Sequence, residues 1–344
     1  MPAATPPVQR VRRSLRRAGR RTNLAILLLL AGAMLSGAML FAAGTPVPAT
    51  VARVGHGLTG VGLVVLVPWK TVVVLRAPRV RPASLALLVL VLACLVSGFV
   101  EVFAGYGRLA GISPIQVHVG AALIGVVFLV VHAGRHWPVR LRRSDLSRRR
   151  LLTTGAFVAT AAAAYAGSEV LGRWTGSAAA TRLPTGSHRI PPAQIPATTW
   201  MLDRVPTLDR VADRVSLPHR GVPVTELEQL GRPVVARLDC TSGWYADATW
   251  TGVPLSALIE PAALARAASI EVRSVTGYSR RFPTAEAGVL WLATGLEGQR
   301  LGAGHGAPVR RVAPGRRGFW WVKWVASVEL SALPPAAQSP FPLQ

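Results

Sequence analysis

Cys240 is the only cysteine in the C-terminal half of this 344-residue chain. It stands in "VVARLDCTSGWYADATWTGVPLSALI", between a strand-like run and a Ser-Gly-Trp turn. The other cysteine, Cys94, lies in an apolar run, so Cys240 has no disulfide partner in its own region. A lone thiol can be an inert buried group, a nucleophile or a soft metal ligand. No local nucleophile motif surrounds it. As a ligand it suits a metal whose remaining bonds come from a cofactor. A second set of candidates lies upstream: His56, His118 and His132 fall in or beside apolar runs. Ionisable residues in such runs are functional candidates by default.

What positions these residues follows from hydropathy and charge. Four apolar runs, Leu24–Ala43, Val54–Leu75, Pro82–Ala104 and Ile115–Ala133, each approach the ~20 residues that a helix needs to cross a bilayer. A fifth, richer in Ala, Gly and Thr, covers Leu151–Leu171. Seven arginines precede the first run, four basic residues lie from Lys70 to Arg81, and seven lie from Arg135 to Arg150. The intervening loops carry only Arg53 and Arg108. This alternation is a positive-inside pattern. It predicts a multi-pass protein of the cell membrane with a cytoplasmic N-terminus and an extracytoplasmic C-terminal domain. The net charge of +24 is then largely topology, which argues against nucleic acid as a partner.

The helical region carries an internal likeness. "LSGAMLFAAG" at 35–44 aligns with "VSGFVEVFAG" at 96–105, and nearly the same offset brings His56 opposite His118. Both sit near the outer surface on helices that run the same way, a placement suited to axial ligation of haem iron. The four helices resemble a four-helix b-type cytochrome. His132 follows His118 by fourteen residues, about 21 Å at ~1.5 Å per residue, but its counterpart in the second run is Lys70. A second haem is therefore not expected, and His132 or His136 is left as a remnant, a quinone-site residue or an interfacial group. For His56 and His118 the plainer alternative is helix capping at the membrane surface. Cys94 reads as a packing residue.

The fifth run opens on Ser147, Arg148 and Arg149, followed by Leu151 and Leu152. This resembles a twin-arginine export signal, which carries proteins already folded around a cofactor. Residues 172–198, rich in Gly, Ser, Thr, Ala and Pro, read as a tether without a core. Beyond it, short alternating runs predict strands over Val234–Leu238, Ser269–Ser274, Val309–Val312 and Trp320–Leu330. Short helices are predicted over Val224–Leu230, Leu255–Ala268 and Thr284–Thr294. The parts are a basic N-terminus (1–23), a four-helix transmembrane domain (24–134), and a basic loop with the fifth helix (135–171). The linker (172–198), an extracytoplasmic domain (199–335) and a tail (336–344) follow.

The segment Leu238–Ile259, with Cys-Thr-Ser-Gly-Trp and then Trp-x-Gly-Val-Pro-Leu-x-x-Leu-Ile, resembles the cofactor segment of sulfite-oxidase-type molybdoenzymes. "GHGAPVRRVAPGRRGFWWVKWVASVEL" at 304–330 is similar to a second block of that family, and "TGYSRRFPTAEA" to a third between them. The resemblance implies an α+β molybdopterin-binding domain behind the all-α transmembrane bundle. It implies that Cys240 is the catalytic thiolate ligand of molybdenum, and that His305, Arg310 and Lys323 hold the pterin and its phosphate. Arginine and lysine do suit a phosphate, as charge-assisted donors. Ser242, Gly243, Gly315 and Gly318 would let backbone amides approach the cofactor.

Enzymes of that family that oxidise sulfite place an arginine shortly after the ligand cysteine. Here Thr241, Ser242, Gly243, Trp244 and Tyr245 follow instead, so sulfite is not supported, although Arg280 or Arg281 could reach the site. The expected protein is a membrane-bound, molybdenum-cofactor-dependent oxidoreductase of a small-molecule substrate. It would perform oxygen-atom transfer and exchange electrons with a quinone or a cytochrome through haem b. The alternatives are a membrane-anchored binding protein without turnover, or a molybdoenzyme served by a separate soluble cytochrome.

Overall fold

The computed structural model describes residues 20–75, 82–136, 147–197, 204–207 and 213–341. Most of the expected basic N-terminus and of the basic loop before the fifth helix lies outside them. The chain divides into two compact units, Met1–Phe41 with Pro46–His188, and Ala42–Thr45 with Arg189–Gln344.

The first unit contains five long helices: α1 (Arg20–Ala42), α2 (Pro46–Leu75), α3 (Pro82–Ala104), α4 (Pro114–His136) and α5 (Arg148–Trp174). Each holds a stretch long and apolar enough to cross a membrane. Proline opens α2, α3 and α4, where its missing N–H has no intrahelical partner to lose. Before α4, Ser113 and Gln116 cap each other. The Ser113 amide donates to Gln116 Oε1 at 2.8 Å, and the Gln116 amide to Ser113 Oγ at 3.4 Å, which is a capping box. α3 packs along α4, and α2 along α5. Leu35, Val96, Phe99 and Val127 point outward and are exposed, as side chains facing lipid would be.

The second unit is built on two sheets. Its strands are β1 (His188–Arg189, of which His188 is counted with the first unit), β2 (Arg214–Ser216), β3 (Gly221–Pro223), β4 (Arg232–Asp239), β5 (Trp244–Pro254) and β6 (Ser269–Ser274). β7 (Ser279–Phe282), β8 (Trp291–Leu296), β9 (Gln299–Arg300), β10 (Arg310–Val312) and β11 (Val325–Ser331) complete the set. One sheet has the order β1-β5-β8-β10, with β4 also on β5 and β9 on β8. The other runs β3-β2-β11-β6-β7, with β2 and β11 parallel and its other pairs antiparallel. Trp250, Val253 and Leu292 are buried on the first sheet, and Val215, Ile270, Val272 and Val328 on the second. Two short helices, α6 (Val224–Leu230) and α7 (Pro261–Arg266), complete the unit.

Several local expectations need correction. The run at 172–198 is not a plain tether: α5 extends to Trp174, 3₁₀ turns follow at Ala178–Ala180 and Pro192–Gln194, and Ile190 and Ile195 are buried. The helix expected over Leu255–Ala268 breaks at Pro261, which restarts it as α7. The one expected over Thr284–Thr294 is a single 3₁₀ turn followed by β8, because pairing of Leu292 and Ala293 with β5 and β10 overrides helix propensity. The expected strand Trp320–Leu330 begins only at Val325. Trp324 has φ of 51°, which a continuous strand does not accommodate.

Gly252 sits at a register shift between β5 and β8. A Cβ there would fall 2.4 Å from the Leu292 carbonyl oxygen and 2.7 Å from Ala293 Cα. Both are backbone atoms in a fully paired sheet. Gly252→Ala should therefore destabilise the second unit by about 1–3 kcal/mol. Gly288→Ala, where the nearest neighbour is the Ser256 hydroxyl at 3.9 Å, should stay within about 0.5 kcal/mol. Urea unfolding followed by tryptophan fluorescence checks both, and equal midpoints for the two variants would contradict the packing.

Candidate active site

Cys240 follows β4 at the tip of the β4–β5 hairpin. The turn is closed by the Cys240 amide donating to the Trp244 carbonyl at 2.8 Å and the Gly243 amide to the Cys240 carbonyl at 3.3 Å. Gly243 has φ of 93°, which a residue with a Cβ adopts at a penalty. The thiol is buried, carries no disulfide, and lies 3.0 Å from Ser242 Oγ. Gly318 closes over it: a Cβ there would be 3.1 Å from Cys240 Cα and 3.3 Å from the Asp239 carbonyl. Beside it, Arg317 forms a buried ion pair with Asp239. Two neighbours of the thiol are thus held by backbone contact and by charge.

The other expected cofactor residues form one connected group. Arg310 on β10 donates from Nη1 to the His305 carbonyl at 3.2 Å. Lys323 donates from Nζ to the Gly304 carbonyl at 2.6 Å. Gly306, with φ of 105°, is pressed against Lys323, where a Cβ would approach the lysine Cβ to 3.0 Å. The Arg310 guanidinium lies over Trp250 at 5.2 Å and Trp321 at 5.7 Å. Burial pulls its pKa down to about 10, while the charge of Cys240 opposes the drop, which puts the guanidinium within electrostatic range of that residue. Arg310 remains a cation at neutral pH. Its Nε and the Nδ1 of His305 are buried without a hydrogen-bond partner. Buried donors and acceptors left in this way call for a ligand or water.

A thiol, a desolvated guanidinium, an ammonium and an imidazole are a donor set that fits a metal–pterin with an anionic phosphate. Cys240, Ser242 and Gly243 share the hairpin tip. His305, Arg310 and Lys323 share the second group, and Gly318 joins the first through its contact with Cys240. Gly315 has φ of 75° with open space around it, a turn glycine. Arg280 and Arg281 both have partners of their own. Arg280 stacks among Tyr278, Phe319 and Trp320 and donates to the Ser339 carbonyl at 2.7 Å. Arg281 is paired with Glu271 at 2.6 Å. Sequence reasoning missed the Arg317–Asp239 pair and the tryptophan walls around Arg310. Asp239 stands next to Cys240 in the chain, so a buried carboxylate beside the thiol was the available signal.

Burial lowers the pKa of His305, and the charges of Arg310 and Lys323 lower it further. The unfolded chain therefore takes up this proton first as pH falls, and the group costs stability progressively below about pH 6.5. In protein free of cofactor, the His305 ring signal in an NMR titration should move with a midpoint below 6.5. Binding of an anion at the site should raise that midpoint. A midpoint at or above 6.5 in the free protein would remove the desolvated cationic setting described here.

The first unit holds the histidine pair. The His56 and His118 rings lie 5.7 Å apart between centroids at 77°. His56 Nδ1 is 3.0 Å from the Ala33 carbonyl, and His118 Nδ1 is 2.8 Å from the Cys94 carbonyl. A carbonyl only accepts, so both Nδ1 atoms carry hydrogen and both Nε2 atoms keep a lone pair. The two halves match residue for residue, since Ala33 and Cys94 each precede a Ser-Gly by three positions. Ser36 donates to the Gly32 carbonyl at 2.6 Å and Ser97 to the Ala93 carbonyl at 2.5 Å. Gly37 and Gly98 give the rings room, with a Cβ falling 3.3 Å and 3.0 Å from them. A metal with bonds of ~2 Å to each Nε2 sets two imidazole centroids about 6 Å apart, close to what is found. His132 does not join this pair. Its Nδ1 is 3.5 Å from Ser84 Oγ, and Lys70 donates to Asn23 at 2.8 Å. Among the described residues, no three His, Cys, Asp or Glu side chains cluster as a metal site.

Residues 208–338 match the family model of the oxidoreductase molybdopterin binding domain. Among solved structures, the chain is similar to the sulfane dehydrogenase SoxCD from Paracoccus pantotrophus. The identity is 21%, the match covers 38% of this chain and 40% of that one, and the TM-score is 0.34. The chain thus spans less than half the length of that protein. The matched segment contains Cys240, His305, Arg310 and Lys323 and none of the five long helices. The C-terminal unit therefore carries an oxidoreductase molybdopterin binding domain, and the helical unit lies outside the match.

Proposed function

We propose that this chain is a membrane-bound, molybdenum-cofactor-dependent oxidoreductase that transfers an oxygen atom to or from a small-molecule substrate. In this reading it exchanges electrons with the membrane through haem b held by His56 and His118, and from there with a quinone or a cytochrome. The observation that carries it is Cys240 at a rigid hairpin tip, within electrostatic reach of buried Arg310 and inside the matched segment. When bound, a molybdenum–pterin supplies two-electron redox chemistry and oxygen exchange with water. The chain's own residues bind and orient. Cys240 donates sulfur to the metal. Arg310 and Lys323 meet the phosphate as charge-assisted donors. The unpaired His305 Nδ1 offers a hydrogen bond to the pterin. Trp250 and Trp321 exclude water around Arg310.

The substrate expected at such a site is neutral or weakly charged. No basic residue follows Cys240 in the hairpin, Arg317 is neutralised by Asp239, and Arg310 is walled by tryptophans. The membrane location and the cytoplasmic N-terminus rest on the five apolar helices and on the alternation of basic loops. The haem rests on the ring spacing and on the two Nδ1–carbonyl bonds.

Two measurements separate the parts. Cys240→Ser should keep pterin, read as fluorescence after oxidation, while dye-linked reduction of N-oxides and S-oxides falls to background. Undiminished turnover in that variant would sink the enzymatic reading. In the detergent-purified protein, the dithionite-reduced minus oxidised spectrum should show a b-type signal. That signal should vanish in both His56→Ala and His118→Ala. A molybdenum-loaded preparation without it would reduce the helices to an anchor.

A further inference from the structure

One partly buried charged cluster in the helical unit has no part in the proposed function. Glu169 on α5 is held by two arginines, Arg53 of α2 at 3.1 Å and Arg182 from the segment after α5. Two guanidiniums against one carboxylate leave an uncompensated positive charge. The Arg182 side chain is only 5% exposed. Its Nε and Nη1, the Nε of Arg53 and the Nε2 of His188 are all buried without a hydrogen-bond partner. His188 is itself buried and lies within electrostatic range of Arg182, whose charge helps to keep its imidazole neutral. A buried cation with unpaired N–H groups is costly unless an anion meets it. Arginine in this setting presents a planar fork suited to a carboxylate.

The place of this group points to one occupant. Arg53 precedes His56 by three residues on α2, so the two share a helix face one turn apart. From α5, the Tyr165 ring lies against Gly57, where a Cβ would fall 2.2 Å from it, and Glu169 follows Tyr165 by one turn. The cationic group therefore borders the His56–His118 pair on the side where α2 begins. A b-type porphyrin carries two carboxylate side chains at one edge, and an iron bound by these two rings would need partners for both.

We infer that Arg53 and Arg182, with His188 beside them, form the binding site for the carboxylate groups of a haem held by His56 and His118. This rests on the haem reading given above. Glu169 then acts as a positioning residue, fixing both guanidiniums while leaving one net positive charge for the ligand. The surplus cation also raises the affinity of the reduced over the oxidised iron, so it sets the potential as well as the orientation.

The test uses the full chain, purified in detergent and depleted of haem, and titrated in parallel with haemin and haemin dimethyl ester. The ester keeps the ring and the iron but lacks both anions. The wild type should bind the free acid at least roughly tenfold more tightly, the effect of one charge-assisted contact. Arg182→Gln should erase most of that preference, keep the b-type spectrum and lower the midpoint potential. Equal binding of acid and ester by the wild type would overturn the carboxylate site while leaving the haem reading intact. If neither is bound, the haem reading itself falls, and this inference with it. A potential unchanged in Arg182→Gln, with the preference retained, would assign the cluster to packing alone.

Discussion

A guanidinium keeps its proton at any physiological pH, so a fold that buries one must also supply something negative or aromatic to face it. This constraint recurs through the molecule. Arg317 faces Asp239, Arg280 lies among three aromatic rings, and Arg182 faces Glu169. Arg311, fully buried on β10, stacks 3.1 Å above the centroid of Phe282, and burial lowers its pKa markedly. Arg310, its neighbour in the chain, points to the other face of the same strand. There it meets two tryptophans and the charge of Cys240. A three-residue strand thus places one guanidinium in the core and another at the site.

Arg317 is paired with the buried carboxylate of Asp239, beside Cys240 in the chain. Arg310 has a thiol and a carbonyl nearby but an Nε without a partner, and Arg182 has more donors than Glu169 can accept. In a low-dielectric interior an incomplete cation of this kind is strongly selective. It rejects neutral and cationic groups and rewards an anion of the right shape. The chemistry proposed here, with a phosphate in one unit and carboxylates in the other, uses that selectivity twice.

Much of this was legible in the sequence, and what was not has physical reasons. The helix Val224–Leu230 and the strand Ser269–Ser274 have the expected bounds, because apolar periodicity and flanking turns agree there. β5 was not expected, since Ala246, Asp247, Ala248 and Gly252 are poor strand formers. Its burial between β4 and β8 compensates for that weak propensity. The expected strand Trp320–Leu330 would have put Trp321, Lys323 and Val325 on one face, but the chain turns at Trp324. The lysine is instead held by the Gly304 carbonyl. Pairing of His56 with His118 followed from a repeat in the sequence. The carbonyls that orient the two rings carry no sequence signal at all, being main-chain atoms.

That last point bears on how such a site tolerates change. The residues that hold the two imidazoles are Ala33 in one half and Cys94 in the other, chemically unlike side chains in equivalent places. Since the acceptor in each case is the peptide oxygen, the side chain at either position is free to vary without disturbing the tautomer of the ring. Two halves of a repeated hairpin can then differ in the residue at this place while each ring keeps the same kind of acceptor.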